Sequence, residues 1–289
     1  MDAFPSRYTA GFALTLVLLV GAQTRLHAQT DYYNTDAERP VLVEDAYATE
    51  LHAFELHLAP LRLERARGGA YTWSLHPELA YGLLPRTQVE VGLPLVLTDG
   101  RGEGQEFGPG GVALSLLHNL NAETAGLPAL GVRASVVVPA GKFAPDDWYP
   151  TLKGVLTRTY RFARVHLNTQ YSFGPEPQGA GDGDAVVEGG EEISRWMAGL
   201  AVDKAFPLRA LLVIGELYAH QPLDERADLA WNAGTGLRYQ VSPKLSVDAG
   251  VGRRLTGEDR RWFVTFGTGY SFGVRSLIPI PGRSAPSPR

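Results

Sequence analysis

The feature that most constrains this chain is a regular alternation of large apolar residues with small polar ones. In Trp262–Phe272 every second residue is large and apolar except Thr268, and the positions between them hold, after Phe263, only threonine, glycine and serine. Successive side chains of a strand point to opposite faces, so this strand has one bulky face and one small polar face. We would expect a soluble sandwich strand to carry long polar side chains on its wet face. A small polar face is typical of the lumen of a barrel whose outer wall meets lipid.

The N-terminus holds the only long apolar run of the sequence. Arg7 supplies a positive charge, Ala10–Ala22 is apolar, and Leu26-His27-Ala28 offers a cleavage site. This pattern predicts a secretory signal peptide over residues 1–28, because the run is too short for a transmembrane helix. An uncleaved anchor is the alternative. Export of a chain without cysteine fits the periplasm or the outer membrane of a Gram-negative bacterium.

Composition narrows the function classes. A net charge of −4 provides no basic surface, so we expect no nucleic-acid partner. The absence of cysteine excludes disulfides and thiolate metal sites. The 33 glycines and 20 prolines favour many strands and tight turns over helices.

The alternation recurs in about twelve stretches, most of them near the ~9–11 residues that a tilted membrane strand needs. The stretches are Phe54–Leu58, Tyr71–Tyr81, Val89–Leu97, Val112–Leu116, Leu130–Val138, Leu152–Tyr160, Val165–Phe173, Trp196–Val202, Leu211–Leu217, Leu229–Val241, Leu245–Val251 and Trp262–Phe272. Many of the aromatic residues fall towards strand ends, where aromatic girdles of membrane barrels lie.

The connections between these stretches alternate in length. Short links, such as Leu84–Thr87 and Ser242–Lys244, alternate with longer polar ones, such as Thr98–Gly110 and Gly174–Ser194. Outer-membrane barrels have short periplasmic turns and longer extracellular loops. We therefore predict an all-β protein, a closed antiparallel transmembrane β-barrel of about twelve strands with periplasmic termini. The expected divisions are a signal peptide (1–28), a periplasmic N-terminal segment that partly enters the barrel (29–52), the barrel (53–273) and a Pro-rich tail (274–289).

If the bulky faces meet lipid, the opposite faces line the lumen. The predicted lumen-lining residues are Glu55, Glu78, Glu90, Arg133, His166, Asn168, Gln170, Glu216, Arg238 and Asp248. Their mixed charges suit a conduit or binding chamber that sets selectivity. They suit equally a set of ion pairs that fills a narrow barrel, since twelve strands lie between the filled eight-stranded case and open porins.

Several phrases of the sequence resemble a known family. They include Val89–Leu95, Val136–Gly141, Gly236–Tyr239 and Asp248–Gly252. The resemblance, over roughly Ala53–Phe272, is to the bacterial outer-membrane barrel family named for the meta-pathway of phenol degradation, whose members are described as transporters. It implies an outer-membrane β-barrel and uptake of aromatic or other small hydrophobic compounds, and it carries no catalytic residue to transfer.

The end of the chain both matches and departs from that family pattern. The resemblance implies that Tyr270 and Phe272 form the signal by which barrel-assembly machinery recognises a last strand. Barrels usually end on the terminal aromatic residue, whereas residues 274–289 continue beyond it here. We expect Trp262–Phe272 to close the barrel by pairing with Phe54–Leu58.

Signals for catalysis or metal binding are weak. Ser74 and His76 share one strand face, but the alternation directs both away from lipid and no paired acid is evident. The acidic loop Gly174–Ser194 matches no ordered Ca²⁺ loop, so we interpret it as solvated. We expect no enzyme, no cofactor and no metal site.

The sequence thus predicts an outer-membrane channel or transporter for small molecules, aromatic or hydrophobic ones among them. The substrate itself is not specified by the sequence. The expected partners are outer-membrane lipid and the barrel-assembly machinery. The alternative is a structural or surface-interaction barrel with a plugged lumen and no transport.

Overall fold

The computed structural model describes most of the chain downstream of the predicted signal peptide. The described residues are 36, 39–65, 71–100, 104–176, 187–188, 191–224, 227–256 and 261–273. The predicted signal peptide, the tail 274–289 and most of the acidic part of Gly174–Ser194 lie outside this set.

The described residues form β-strands connected by turns and loops. The strands are β1 (Ala53–Arg65), β2 (Tyr71–Leu84), β3 (Thr87–Gly92), β4 (Leu95–Gly100), β5 (Gly104–Pro109), β6 (Val112–Asn121), β7 (Ala129–Val138), β8 (Thr151–Thr159), β9 (Arg164–Ser172), β10 (Val187–Glu188), β11 (Glu191–Glu192), β12 (Ser194–Ala205), β13 (Leu211–Pro222), β14 (Ala230–Ser242), β15 (Leu245–Arg254) and β16 (Trp262–Gly273). None of the described residues belongs to a helix long and apolar enough to span a membrane.

Fourteen of these strands form one antiparallel sheet that closes on itself through β1 and β16. Phe54 pairs with Phe272 and Leu56 with Tyr270, so the predicted closing contact is confirmed. Closure pairs the first strand of the wall with the last one, as a strand protein in lipid requires.

Two of the wall strands are interrupted. The lower part of β2 pairs with β3 and its upper part with β4, on either side of Leu93–Pro94. A break at Gly110–Gly111 separates β5 from β6 in the same way. Counting β3 with β4 and β5 with β6 as single strands gives the predicted closed barrel of twelve.

The alternation of side chains places bulky apolar residues on the outside. Leu79 and Phe266 are 40% and 54% exposed, whereas their neighbours Ala80 and Thr265 are 0% and 3% exposed. The strands have this pattern because a lipid-facing side chain must be apolar and an inward one must fit a narrow interior.

The two rims of the barrel differ as the sequence predicts. Short turns, such as Pro85–Arg86 and Pro243–Lys244, lie at the same rim as Ala53 and Gly273. Longer connections, such as Pro139–Pro150 between β7 and β8, lie at the other rim. These are called the short-turn rim and the long-loop rim below.

The closing strand is fixed by stacked aromatic rings at the short-turn rim. The ring centroid of Phe54 lies 5.4 Å from that of Phe272 and 4.5 Å from that of Tyr81, and Phe272 also stacks on Tyr270 at 6.1 Å. Phe272 therefore joins the last strand to the first strand across the seam where the barrel closes, and Phe54 continues the stack to β2.

We predict that removing residues 274–289 leaves barrel assembly intact, whereas Phe272→Ala in the shortened chain impairs it. The loss of the stack across the seam is the physical reason, since such aromatic pairs contribute about 0.5–1.5 kcal/mol each beyond area burial. Heat-modifiable gel mobility measures the folded fraction. Phe266→Ala, an outward residue in the middle of the same strand, is the matched control, and equal mobility of the Phe272 and Phe266 variants would contradict the prediction.

Candidate functional site

The structure places all ten predicted lumen-lining residues on inward-facing positions of the wall. Seven are buried and three are half-buried, and the half-buried ones are Glu55, Glu78 and Gln170. A segment of the chain lies inside the barrel and contacts several of them. Their role in passage or binding stays a prediction.

Residues 39–47, called the lumen segment below, run through the barrel interior on the side of the short-turn rim. Val43 and Ala46 are completely buried, and Arg39, Val41, Glu44 and Asp45 are nearly so. The chain leaves this segment through Glu50, whose carbonyl accepts from the amide of Ala53 at 2.9 Å, and then enters β1. The sequence predicted partial entry of residues 29–52, and the structure shows where the segment sits.

At its start the lumen segment is held by an ion-pair cluster. The guanidinium of Arg39 donates to Oδ2 of Asp248 from Nη2 at 2.7 Å and from Nε at 3.1 Å. Arg238 donates to the carbonyl of Arg39 at 2.8 Å and lies 3.2 Å from Asp36. Two predicted wall residues, Arg238 and Asp248, thus serve as anchors for Arg39.

The middle of the segment satisfies its backbone through wall side chains. Oε2 of Glu216 accepts from the amides of Leu42 and Val43 at 2.9 and 3.1 Å. The side-chain amide of Asn168 accepts from the amide of Glu44 at 2.9 Å and donates to its carbonyl at 2.8 Å. Because a buried backbone group without a partner is costly, these two wall residues help to stabilise a non-regular chain inside the barrel.

Glu44 lies at the centre of a second charged cluster. Its carboxylate accepts from Nη2 of Arg133 at 2.7 Å and lies 3.1 Å from Nζ of Lys153, and Arg133 also pairs with Glu90. Burial alone would raise the pKa of the Glu44 carboxyl, but Arg133 and Lys153 outweigh burial and hold the pKa below its ordinary value. Glu44 is therefore ionised at neutral pH, and its charge is compensated by two wall cations.

A chain of hydrogen bonds holds the last part of the segment. Thr157 accepts from the amide of Ala46 at 3.0 Å and lies 3.0 Å from Nδ1 of His166, whose Nε2 lies 2.7 Å from Asp203. The order hydroxyl, imidazole, carboxylate is that of a catalytic triad. Thr157 and His166 are both 0% exposed, and the Thr157 hydroxyl is bound to the lumen segment. This series of hydrogen bonds therefore anchors the segment.

Apolar contacts and close backbone approaches complete the fit. Val41 and Val43 pack against Ala201, Leu212 and Ile214 of the wall. A Cβ at Gly199 would lie 2.7 Å from Val43, and one at Gly236 would lie 2.5 Å from Pro40. Small inward residues therefore make the room that the segment occupies.

A cluster with the elements of a metal site also lies in the lumen. Ligand atoms of Asp36, Glu55 and His57 come within 4.8 Å of one another. Arg39 and Arg238 lie 3.3 and 3.2 Å from Asp36, so its negative charge is already compensated by cations.

The serine and histidine that share one strand face, Ser74 and His76, are both buried on the inward face of β2.

Comparison with known proteins decides the family. The family model for the "MetA-pathway of phenol degradation" matches residues 69–272. The chain belongs to this family. The resemblance read from its strand and turn phrases is confirmed. No curated protein matches the chain.

Solved structures similar to this member of the phenol-degradation family include two that are titled porins and one that is titled an outer membrane channel. The NanC porin has a TM-score of 0.50 at 12% identity, over 74% of this chain and 98% of its own. The COG4313 outer membrane channel from Pseudomonas putida F1 has a TM-score of 0.48 at 16% identity, over 79% and 98%. The KdgM porin has a TM-score of 0.47 at 12% identity, over 76% and 99%. At these identities the likeness concerns the fold alone.

We predict that Arg133→Met loosens the lumen segment. The substitution removes the cation that pairs with buried Glu90 and one of the two cations that pair with buried Glu44. Breaking a buried ion pair typically costs about 3–5 kcal/mol. The readout is the rate at which a maleimide labels Val43→Cys, a residue that is 0% exposed in a chain with no other cysteine.

Lys142→Met is the matched control for this prediction. Lys142 pairs with Glu106 at 2.9 Å, but both side chains are about half exposed, so losing the pair costs only about 0–1 kcal/mol. Labelling that is equally slow in both variants would show that Arg133 does not hold the segment.

Proposed function

We propose that this chain is an outer-membrane channel of a Gram-negative bacterium that admits small molecules, aromatic or hydrophobic ones among them. The observation that carries the proposal is the closed barrel with an apolar outside and a charged, polar inside. A protein of this shape is stable in lipid and offers a polar path across it. The signal peptide would bring it to the envelope, and the short-turn rim with both ends of the barrel would face the periplasm.

The comparisons support this proposal. The family is described by a pathway of phenol degradation, which favours aromatic substrates. The NanC structure, which has the same fold, is titled a porin. Assembly through Tyr270 and Phe272 by the barrel-assembly machinery follows from the same proposal. These findings favour a channel over a barrel that serves only as a structural or adhesive element, and over an enzyme.

The lumen segment decides how such a channel would work. Hydrogen bonds, ion pairs and apolar contacts hold the segment, and none of these is covalent. A solute that crosses the whole lumen must therefore displace the segment or wait until it leaves. We infer that the segment acts as the gate of the channel on the short-turn side.

Proteoliposome swelling tests the channel. We expect the refolded barrel to admit small solutes slowly, and Arg133→Met to admit them faster because the gate is held less firmly. Liposomes that contain the heat-unfolded protein give the background rate. If neither the natural chain nor Arg133→Met exceeded that rate for any small solute, the transport proposal would be wrong and the structural alternative would take its place.

A disulfide can lock the gate. A Cβ added at Gly131 would lie 3.5 Å from the Cβ of Ala46, which is within the range of a disulfide. We predict that Ala46→Cys with Gly131→Cys stops swelling when oxidised and regains it on reduction. The two single cysteine variants are the controls, since neither can form the bond in a chain without other cysteines. Equal flux through the oxidised and reduced double variant would show that solutes pass without moving the segment.

A further inference from the structure

A group of hydrogen-bond donors lies in the lumen beyond the gate, on the side of the long-loop rim. Arg62 of β1 faces inward and is 8% exposed. Its Cζ atom lies 3.7 Å from the ring centroid of Phe263 on the neighbouring β16. A Cβ at Gly252 would lie 2.1 Å from that ring, so the ring rests on bare backbone of β15. Phe263 is thus held between Gly252 and Arg62, which fixes where the guanidinium sits.

A second guanidinium lies on the same part of the wall. Arg254, two residues after Gly252 and on the same strand face, donates from Nη2 to Nε2 of His220 at 3.0 Å. Because an arginine can only donate, Nε2 of His220 must accept, so the proton of the neutral imidazole is on Nδ1. His220 thereby adds a further N–H donor to the group.

Asn232 lies on β14, between the strands that carry His220 and Arg254. It pairs with Arg254 on one side and with Tyr218 on the other, and it is 4% exposed. Its Nδ2 atom meets no acceptor among the described residues. A buried amide donor without a partner costs free energy, and it marks a place where a ligand or a water accepts a hydrogen bond.

The wall beside these donors is apolar. Met197 pairs with His220 across β12 and β13, and the ring of Tyr218 meets that of His220 edge-on at 5.9 Å. Both Met197 and Tyr218 are buried. The carboxylate of Glu64 accepts from Arg62 and from Arg261 at 3.4 Å each. This part of the wall thus combines the guanidinium groups of Arg62 and Arg254 with apolar side chains.

We propose that Arg62, Arg254, His220 and Asn232 bind a carboxylate carried by a small aromatic or apolar body. Guanidinium groups match a carboxylate in both charge and geometry. The amide and imidazole N–H groups add further donors, which bind the oxygens of an anion and would not bind a cation. Met197 and Tyr218 supply the apolar contact. The proposal rests on the proposed channel function and names its substrate class as organic anions with a ring or a short apolar chain.

Calorimetric binding of sodium benzoate and of benzamide to the refolded barrel tests the site. The two probes share a ring and differ in charge. We expect benzoate to bind more tightly than benzamide. Arg62→Gln and Arg254→Gln should each weaken benzoate about tenfold, as expected for the loss of a charged hydrogen bond. Asn232→Asp keeps the shape of the side chain but adds a like charge, so it should also weaken benzoate and leave benzamide unchanged.

Arg253→Gln is the matched control, because Arg253 precedes Arg254 in the chain and stacks on the exposed ring of Trp262 outside the barrel, 4.9 Å from its centroid. Heat-modifiable mobility establishes that each variant is folded. Equal affinity for the two probes, or benzoate binding that none of the three inward variants changes, would overturn the site.

Reversal potentials in a KCl gradient separate this proposal from that of the channel. An anion preference that falls in Arg62→Gln and Arg254→Gln but not in Arg253→Gln supports the site. Conductance without any anion preference would overturn it and leave the channel proposal intact. Benzoate binding without any conductance would overturn the channel proposal and support the site alone.

Discussion

The structure depends on one constraint, which is that a backbone in lipid must satisfy its hydrogen bonds within the protein. A sheet can do so only by closing, and here closure joins β1 to β16 in a register that puts Phe54 opposite Phe272. The closed wall surrounds the lumen segment, in which Val43 and Ala46 are completely buried. The wall that satisfies its own backbone by closing also supplies the partners of a chain that lies inside it.

A similar constraint applies inside the lumen, where buried charged side chains must find partners of opposite charge. Arg39, Glu44 and their wall partners would be costly to bury singly, and each is compensated by an opposite charge within 3.3 Å. A buried pair of this kind contributes little net stability compared with apolar packing, but it specifies position, since a shift by one residue would leave two buried charges without partners. The wall therefore recognises this particular segment and would reject an apolar one.

Much of the fold could be predicted from the sequence, because lipid on one side and a confined lumen on the other impose the period-two pattern on every strand. The strand count, the sorting of turns and loops, and the pairing of Phe272 with the first strand all follow from that pattern. The inward direction of Glu216 and Asp248 followed as well. Their partners did not, because the pattern contains no information on which of several inward charges meets Arg39 or Glu44.

Two further features lay beyond periodicity. The split of β3 from β4 at Leu93–Pro94 leaves the alternation nearly intact, so it reads as one continuous strand. The donor group around Arg254 requires knowledge of which strands are neighbours, since Arg62 of β1 is distant in sequence from Asn232 and Arg254 of β14 and β15. A clue existed in Arg253-Arg254, where two consecutive arginines on a strand must place one charge inside the barrel.

The position of the lumen segment in the chain has a consequence for the order of folding. The segment precedes every strand and emerges first, yet Arg39 binds Asp248, which lies 209 residues later. Its other partners are spread over β6, β7, β8, β9, β13 and β14. A binding surface for the segment exists only once nearly the whole wall has been assembled. Entry of the segment thus belongs to the last stage of folding, and a barrel that is still open, or closed in the wrong register, cannot retain it.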